Sequence, residues 1–313
     1  MANEEHFQKI EAISRPAYAR ILQHARAYSL LVALSLIWGV AFVSIRVADF
    51  QLSPVNLALL RWLIAGAGYL VILPFLGENK TKFEVKDLPR LLVISFANVP
   101  AYHLTLNYAE TSVSAGLAGL LVSLGPVFIV ILSRLSLKEV IGRSVLLALG
   151  IATLGATLLS ISNLNGSAGS MLGPIEVVMT ALSYAVFAVL SKPLVHKYGA
   201  LPIAIRAGTI GTLMLLPLLS RGFVAQVSSL TLIDWPSVLY LGVLSTVIGY
   251  SLFYTLVSKS AVSRLSIQLY LIPVISVIAG VLILGEKVSI LTFVGGGALL
   301  FSIALATRAQ TRK

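Results

Sequence analysis

The 313-residue sequence predicts an all-α integral membrane protein of ten transmembrane helices in two inverted five-helix repeats, and three observations carry that reading. Hydrophobic residues are 58% and charged residues 11% of the chain, with a mean hydropathy of +0.95, whereas soluble domains hold roughly 25% charged residues. Apolar runs of the ~20 residues that cross a bilayer recur along nearly the whole chain. The third observation is a segment written twice: Ser123 to Glu139 reads SLGPVFIVILSRLSLKE and Tyr270 to Glu286 reads YLIPVISVIAGVLILGE. Placing Pro126 on Pro273 is a shift of 147 (273 minus 126), and it lays Glu139 on Glu286, Gly150 on Gly297, His103 on Tyr250 and Asn107 on Tyr254. A shift of 145 pairs Arg61 with Arg206. Such self-similarity marks a duplicated unit.

In order along the chain, residues 1–28 are a polar leader whose Phe7, Ile10, Ile13, Tyr18, Ile21 and Leu22 fit a short surface helix or, given the mixed charges around them, a solvated tail. The first apolar run, from Ser29, is too long for a signal-peptide core and is read as a retained helix. Repeat 1 covers 29–162, with spans near 29–47, 54–76, 88–108, 112–133 and 143–162. Residues 163–170 form a small polar linker containing the sequon Asn165-Gly166-Ser167, a weak signal by itself. Repeat 2 covers 171–307, with spans near 171–191, 202–220, 236–257, 261–284 and 288–307, and residues 308–313 are a tail. Five spans per repeat is odd, so the second repeat enters the membrane from the opposite side.

Lys and Arg set the expected orientation. With the N-terminus inside, the loops on the far side and their helix ends hold only Arg46, Arg61, Arg221 and Lys287, and nearly all the other basic residues fall inside. The positive-inside rule therefore places both termini and the Lys192–Lys197 loop in the cytoplasm and the linker outside, in a cell membrane. The net charge of +11 is dispersed between apolar runs, which argues for topology and against nucleic acid as its cause. Cysteine is absent, excluding disulfides and thiolate chemistry.

The opening span ALSLIWGVAFVSIRVA, the second span's ALLRWLIAG and the doubled P-x(12)-E segments resemble the EamA family of the drug/metabolite transporter superfamily. The likeness runs from Ser29 to about Ala306 as two EamA units. It implies a metabolite transporter with both termini cytoplasmic, whose substrate class spans amino acids, other small metabolites and drugs. Two related groups are set apart by residue type. Small multidrug-resistance proteins rely on a membrane-buried glutamate, and here every acidic residue, Glu139, Glu176 and Glu286 included, falls in a loop, in the leader or near a span end. Sugar-phosphate carriers need a mid-span cation, and Arg61 and Arg206 lie only a turn or two inside their helices, where they are expected to snorkel or brace loops.

Polar groups within spans are costly and point to function. On an ideal third helix His103 and Asn107 share a face with Phe96 and Pro100, opposite Asn98, Tyr102 and Thr105. The His103/Asn107 face is expected to line the cavity, because the second copy places Tyr250 and Tyr254 there; hydrogen bonding between neighbouring helices is the competing role. Trp38, with Ser35, Gly39 and Phe42 at helical spacing, matches Tyr184, with Thr180, Phe187 and Ser191, and both stripes are expected to be either core or substrate wall. Pro126 and Pro273 interrupt helices at matching places and are expected hinges, with Ser123, Gln268 and Tyr270 as neighbouring substrate contacts. The resulting expectation is an alternating-access carrier of a small neutral or zwitterionic organic metabolite such as an amino acid, without cofactor or metal. His103 is its proton carrier if transport is proton-linked. An exporter of lipophilic cations or drugs, or a passive channel, is the alternative; an intramembrane enzyme is disfavoured because His103 has no carboxylate in sequence to partner it.

Overall fold

The computed structural model describes residues 29–72, 82–137, 143–164, 171–259 and 262–311. The leader, residues 165–170 of the linker and Glu139 lie outside them, as do the side chains of Gln268 and Tyr270. Everything described is helix or connecting turn, with no strand among the described residues. Repeat 1 consists of α1 (Ser29–Ala48), α2 (Pro54–Ile72), α3 (Leu88–Phe96) running on into α4 (Tyr102–Glu110), α5 (Ala115–Val122) with α6 (Gly125–Leu137) after it, and α7 (Arg143–Leu164). Repeat 2 consists of α8 (Leu172–Tyr198), α9 (Ala200–Leu215), the short connecting α10 (Gly222–Ser228), α11 (Trp235–Leu239) running on into α12 (Gly249–Lys259), α13 (Val262–Leu284) and α14 (Ile290–Thr311). Taking α3–α4, α5–α6 and α11–α12 as single rods gives five rods per repeat.

Five helices, Ser29–Ala48, Pro54–Ile72, Leu172–Tyr198, Ala200–Leu218 and Trp235–Ser258, are long and apolar enough to cross a membrane, and shorter apolar stretches occupy the fourth, fifth, ninth and tenth rods. The third rod is the polar one. Its Asn98, His103, Asn107 and Glu110 are all buried, because it is packed against α2, α8 and α9. Lipid would leave such groups unpaired, so a polar helix is tolerated only in the bundle interior.

Duplication shows in the local geometry. The third rod widens into π-helical turns at Ala97–Ala101 and the eighth at Tyr240–Ile248; moved by 147, the first range falls on 244–248, inside the second. In the third rod the wide turn contains Pro100, which has no N–H for a regular helical bond. In the eighth, the Thr246 hydroxyl donates to the carbonyl of Leu241, five residues back, at 2.7 Å. The last rods of the two repeats, α7 and α14, run together. A Cβ on Gly155 would sit 2.8 Å from the Gly295 carbonyl oxygen, so only glycine allows that approach.

At one end of the bundle a polar latch ties the segment before α3 to the α8–α9 corner. Lys197 Nζ lies 2.6 Å from Glu84 and 2.7 Å from Asp87, and Tyr198 Oη donates to Asp87 at 2.6 Å. Arg206 stacks over Phe83 and Tyr198 at the same corner. At the other end, Gln226 of α10 accepts hydrogen bonds from the Ser53 amide and from Asn56 Nδ2, closing the start of α2.

Candidate functional site: an aromatic cavity around a buried arginine

Between the first, second, third, sixth and eighth rods lies a narrow, open-mouthed cavity walled by Trp38, Phe42, Tyr102, Tyr184, Phe187 and Tyr250, with Arg61 and Ser245 on its polar side. A second lobe reaches Val122 and Ile272, the residue ending α5 and the residue before Pro273. The cavity thus reaches the second doubled proline segment and the residue just before the first.

Trp38 anchors the aromatic wall. Its ring meets Tyr184 edge-on at 6.4 Å and Tyr250 at 5.4 Å, and its Nε1 donates to the Ser245 carbonyl at 3.0 Å. Gly249 makes room for it, since a Cβ there would come within 2.5 Å of that nitrogen. The sequence-level pairing of Trp38 with Tyr184 is therefore a spatial neighbour pair.

Arg61 does not snorkel. It is only 4% exposed, with Nε donating to Thr246 Oγ1 at 2.7 Å and Nη2 to Ser245 Oγ at 2.9 Å. Both acceptors belong to the π-helical turn of the eighth rod, whose irregular backbone turns two hydroxyls toward α2. These bonds use two of the five N–H groups of a guanidinium, and both partners are neutral. A cation whose charge no bonded carboxylate offsets, lining a cavity, is the strongest polar feature of the site. Sequence reasoning passed it over because depth in the helix, and not burial, was what the sequence could show.

The third rod presents Tyr102 and Leu106 to the cavity, while His103 and Asn107 turn to α2 and α12. His103 sits 5.4 Å from the Trp62 ring and places Nε2 3.3 Å from Tyr250 Oη, and Asn107 Nδ2 donates to the Pro54 carbonyl at 3.0 Å. Within regular α4 the packing turns the Tyr102/Leu106 face to the cavity, ~100° around the axis from the His103/Asn107 face chosen by the match to Tyr250 and Tyr254; the π-helical turns at Ala97–Ala101 carry an extra residue and rotate what precedes them by ~100° relative to α4. Phe96, expected on the His103 face, is exposed accordingly. Tyr254 is fully buried beside Tyr250, 6.5 Å between rings.

Ser123 is buried, its hydroxyl donating to the Leu120 carbonyl at 2.5 Å. Pro126 does not kink a continuous helix: α5 ends at Val122 and α6 restarts at Gly125, so the proline falls in the first turn of the new helix, where its missing N–H costs nothing. Pro273 stays inside the continuous α13. Glu286 folds back across the repeat boundary: Oε1 accepts from the Ala115 amide at 2.7 Å and Oε2 from the Gly116 amide at 3.0 Å, capping α5.

Membrane-length apolar helices, a duplicated five-rod unit and a polar-aromatic cavity between the repeats describe a multi-pass membrane protein with an internal pocket. The model of the EamA-like transporter family matches residues 25–161 and again 171–308, so the chain belongs to the EamA-like transporter family. Among its relatives, an uncharacterized transporter of Archaeoglobus fulgidus is 33% identical over 87% of this chain and 95% of its own. A probable terminal-alkyne amino-acid exporter of Streptantibioticus cattleyicolor is 29% identical over 91% and 94%. A probable amino-acid metabolite efflux pump of Escherichia coli is 25% identical over 85% and 89%.

Proposed function

We propose that the protein is an alternating-access carrier for a small amino acid or amino-acid-like metabolite, bound with its carboxylate at Arg61 and its apolar body against Trp38, Tyr184 and Phe187. The observation that carries this reading is the buried Arg61 guanidinium on the polar side of an otherwise aromatic cavity. Arg suits the bidentate geometry of a carboxylate, and the aromatic faces of Trp38, Tyr102 and Tyr184 suit a substrate ammonium group. Two relatives named for amino-acid or amino-acid-metabolite export support the class. The same buried cation disfavours a lipophilic cation as substrate, since like charges would meet at low dielectric. The polar latch at the Lys197 end, together with buried Leu194, Phe253 and Val257 one to two turns beyond the cavity, supports a state closed toward that end. The basic residues support a cytoplasmic assignment for it.

Binding tests the reading. Purified protein is titrated with L-phenylalanine and with phenethylamine, which keeps the ring and the ammonium and lacks the carboxylate. L-phenylalanine raises the unfolding temperature and the amine does not. Arg61→Gln weakens L-phenylalanine binding by about 10- to 150-fold, the equivalent of the ~1.5–3 kcal/mol carried by a charged hydrogen-bonded contact. Equal stabilisation by acid and amine refutes the carboxylate role of Arg61. Saturable counterflow in proteoliposomes separates a carrier from a channel.

A further inference from the structure

At the end of the bundle opposite the latch, α1 and α4 finish side by side, where Arg46 Nη1 donates to the carbonyl oxygen of Glu110. The Glu110 side chain is fully buried, at 0% exposure. Neither of its carboxylate oxygens meets a hydrogen-bond donor, and the same holds for both carboxylate oxygens of Asp49, just past α1. Asn107, one turn earlier in α4 and also at 0% exposure, leaves Oδ1 unpaired while its amide serves Pro54. Acceptor oxygens thus crowd a place where no donor meets them. The charged groups facing Glu110 are Asp49 and Arg46 at the end of α1, Glu286 after α13 and Arg61 of α2. Glu286 is committed to capping α5, Arg61 to Ser245 and Thr246, and Arg46 to a backbone carbonyl.

An ionised carboxylate buried without donors is among the costliest arrangements in a protein, and protonation removes the charge and supplies a donor where only acceptors stand. The place also adjoins the cavity. Tyr102, Leu106 and Glu110 succeed one another at i, i+4 and i+8 on α4, and Ile45 and Asp49 do so at i and i+4 on and just past α1, with Tyr102, Leu106 and Ile45 in the cavity wall. Glu110 therefore sits about one helical turn, ~5–6 Å along the axis, beyond the wall.

We propose that Glu110 and Asp49 form a proton-binding site at this end of the cavity, in place of His103 as the group that takes up a proton. Burial pushes the Asp49 carboxyl up to about 7 against the opposing pull of Arg46, so Asp49 exchanges its proton near neutrality. His103, by contrast, is enclosed by Trp62, Tyr102 and Tyr250 rings and bonded to no carboxylate. On the carrier reading, on which this role rests, a coupling proton enters at this site.

Infrared difference spectroscopy on the protein in lipid decides the matter. Wild type at neutral pH shows a carboxylic-acid C=O stretching band that fades as pH rises; Glu110→Gln loses the Glu110 share of the band and leaves that of Asp49, and His103→Gln keeps it whole. Asp49→Asn removes a neighbouring negative charge, so the remaining band titrates at lower pH. A wild type without the band at neutral pH, or a Glu110→Gln variant that keeps it whole, overturns the proposal, and a folded variant is verified by unchanged helical circular dichroism. The infrared readout needs no substrate, so failure of the carrier reading and failure of the proton site are told apart.

Discussion

Replacing Glu286 by Gln tests how the two repeats are fastened together. The wild-type carboxylate accepts from the amides of Ala115 and Gly116 at 2.7 and 3.0 Å, satisfying two of the donors exposed at the start of α5 and placing a negative charge on the positive end of that helix. Gln keeps one acceptor oxygen and turns an NH2 toward the second amide, so one charge-assisted bond is lost, worth ~1.5–3 kcal/mol, and with it the helix-end charge, worth ~0.3–1 kcal/mol. The expected loss is about 2–4 kcal/mol of stability. Close packing leaves no room for relief, because Cβ atoms on Gly116 and Gly280 would both meet the Glu286 side chain. Equilibrium unfolding in mixed micelles monitored by circular dichroism measures the change, with Glu286→Asp as a second variant that retains the charge and shortens the reach. A Gln variant as stable as wild type would refute the account of Glu286 as a cap.

The latch and the topology each give a further expected outcome. Hydrogen bonds from Lys197 hold the Glu84 and Asp87 carboxyls below their ordinary values, so the latch is fully present above the usual carboxylate range near ~4 and is lost only as pH falls through the lowered values. A cysteine at Phe83 should accordingly resist labelling from neutral pH down to that range in wild type, and become reactive at neutral pH when Asp87→Asn removes the bond. With no native cysteine, a single Cys at Gly166 should react with a membrane-impermeant reagent from outside intact cells; reaction only from the cytoplasm contradicts the inverted-repeat orientation.

Much of the architecture is legible in the chain itself. Hydropathy and the 147-residue shift depend on composition and order alone, which is why the membrane class, the two repeats and the transporter family can be read from them. Trp38 and Tyr184 are paired by nearly the same shift, and they are neighbours in space because inverted repeats bring equivalent helices together across the central cavity.

What the tertiary structure decided is which face and which charge matter. A face assignment assumes 3.6 residues per turn, and the π-helical turns at Ala97–Ala101 break that assumption for Phe96 relative to His103; which face of α4 meets the cavity is decided by its packing on α2 and α8, which turns Tyr102 to the cavity and His103 to α2. Burial of a charge is likewise not written in its own helix. Arg61 and Glu110 lie near span ends, where sequence reasoning assigns them to the interface, yet neighbouring rods cover both to 4% and 0% exposure. The hydroxyls that hold Arg61 come from a residue pair 184 and 185 positions away. Local order determines that a helix forms and crosses the membrane; only the packing of distant helices determines which of its polar groups are taken out of water.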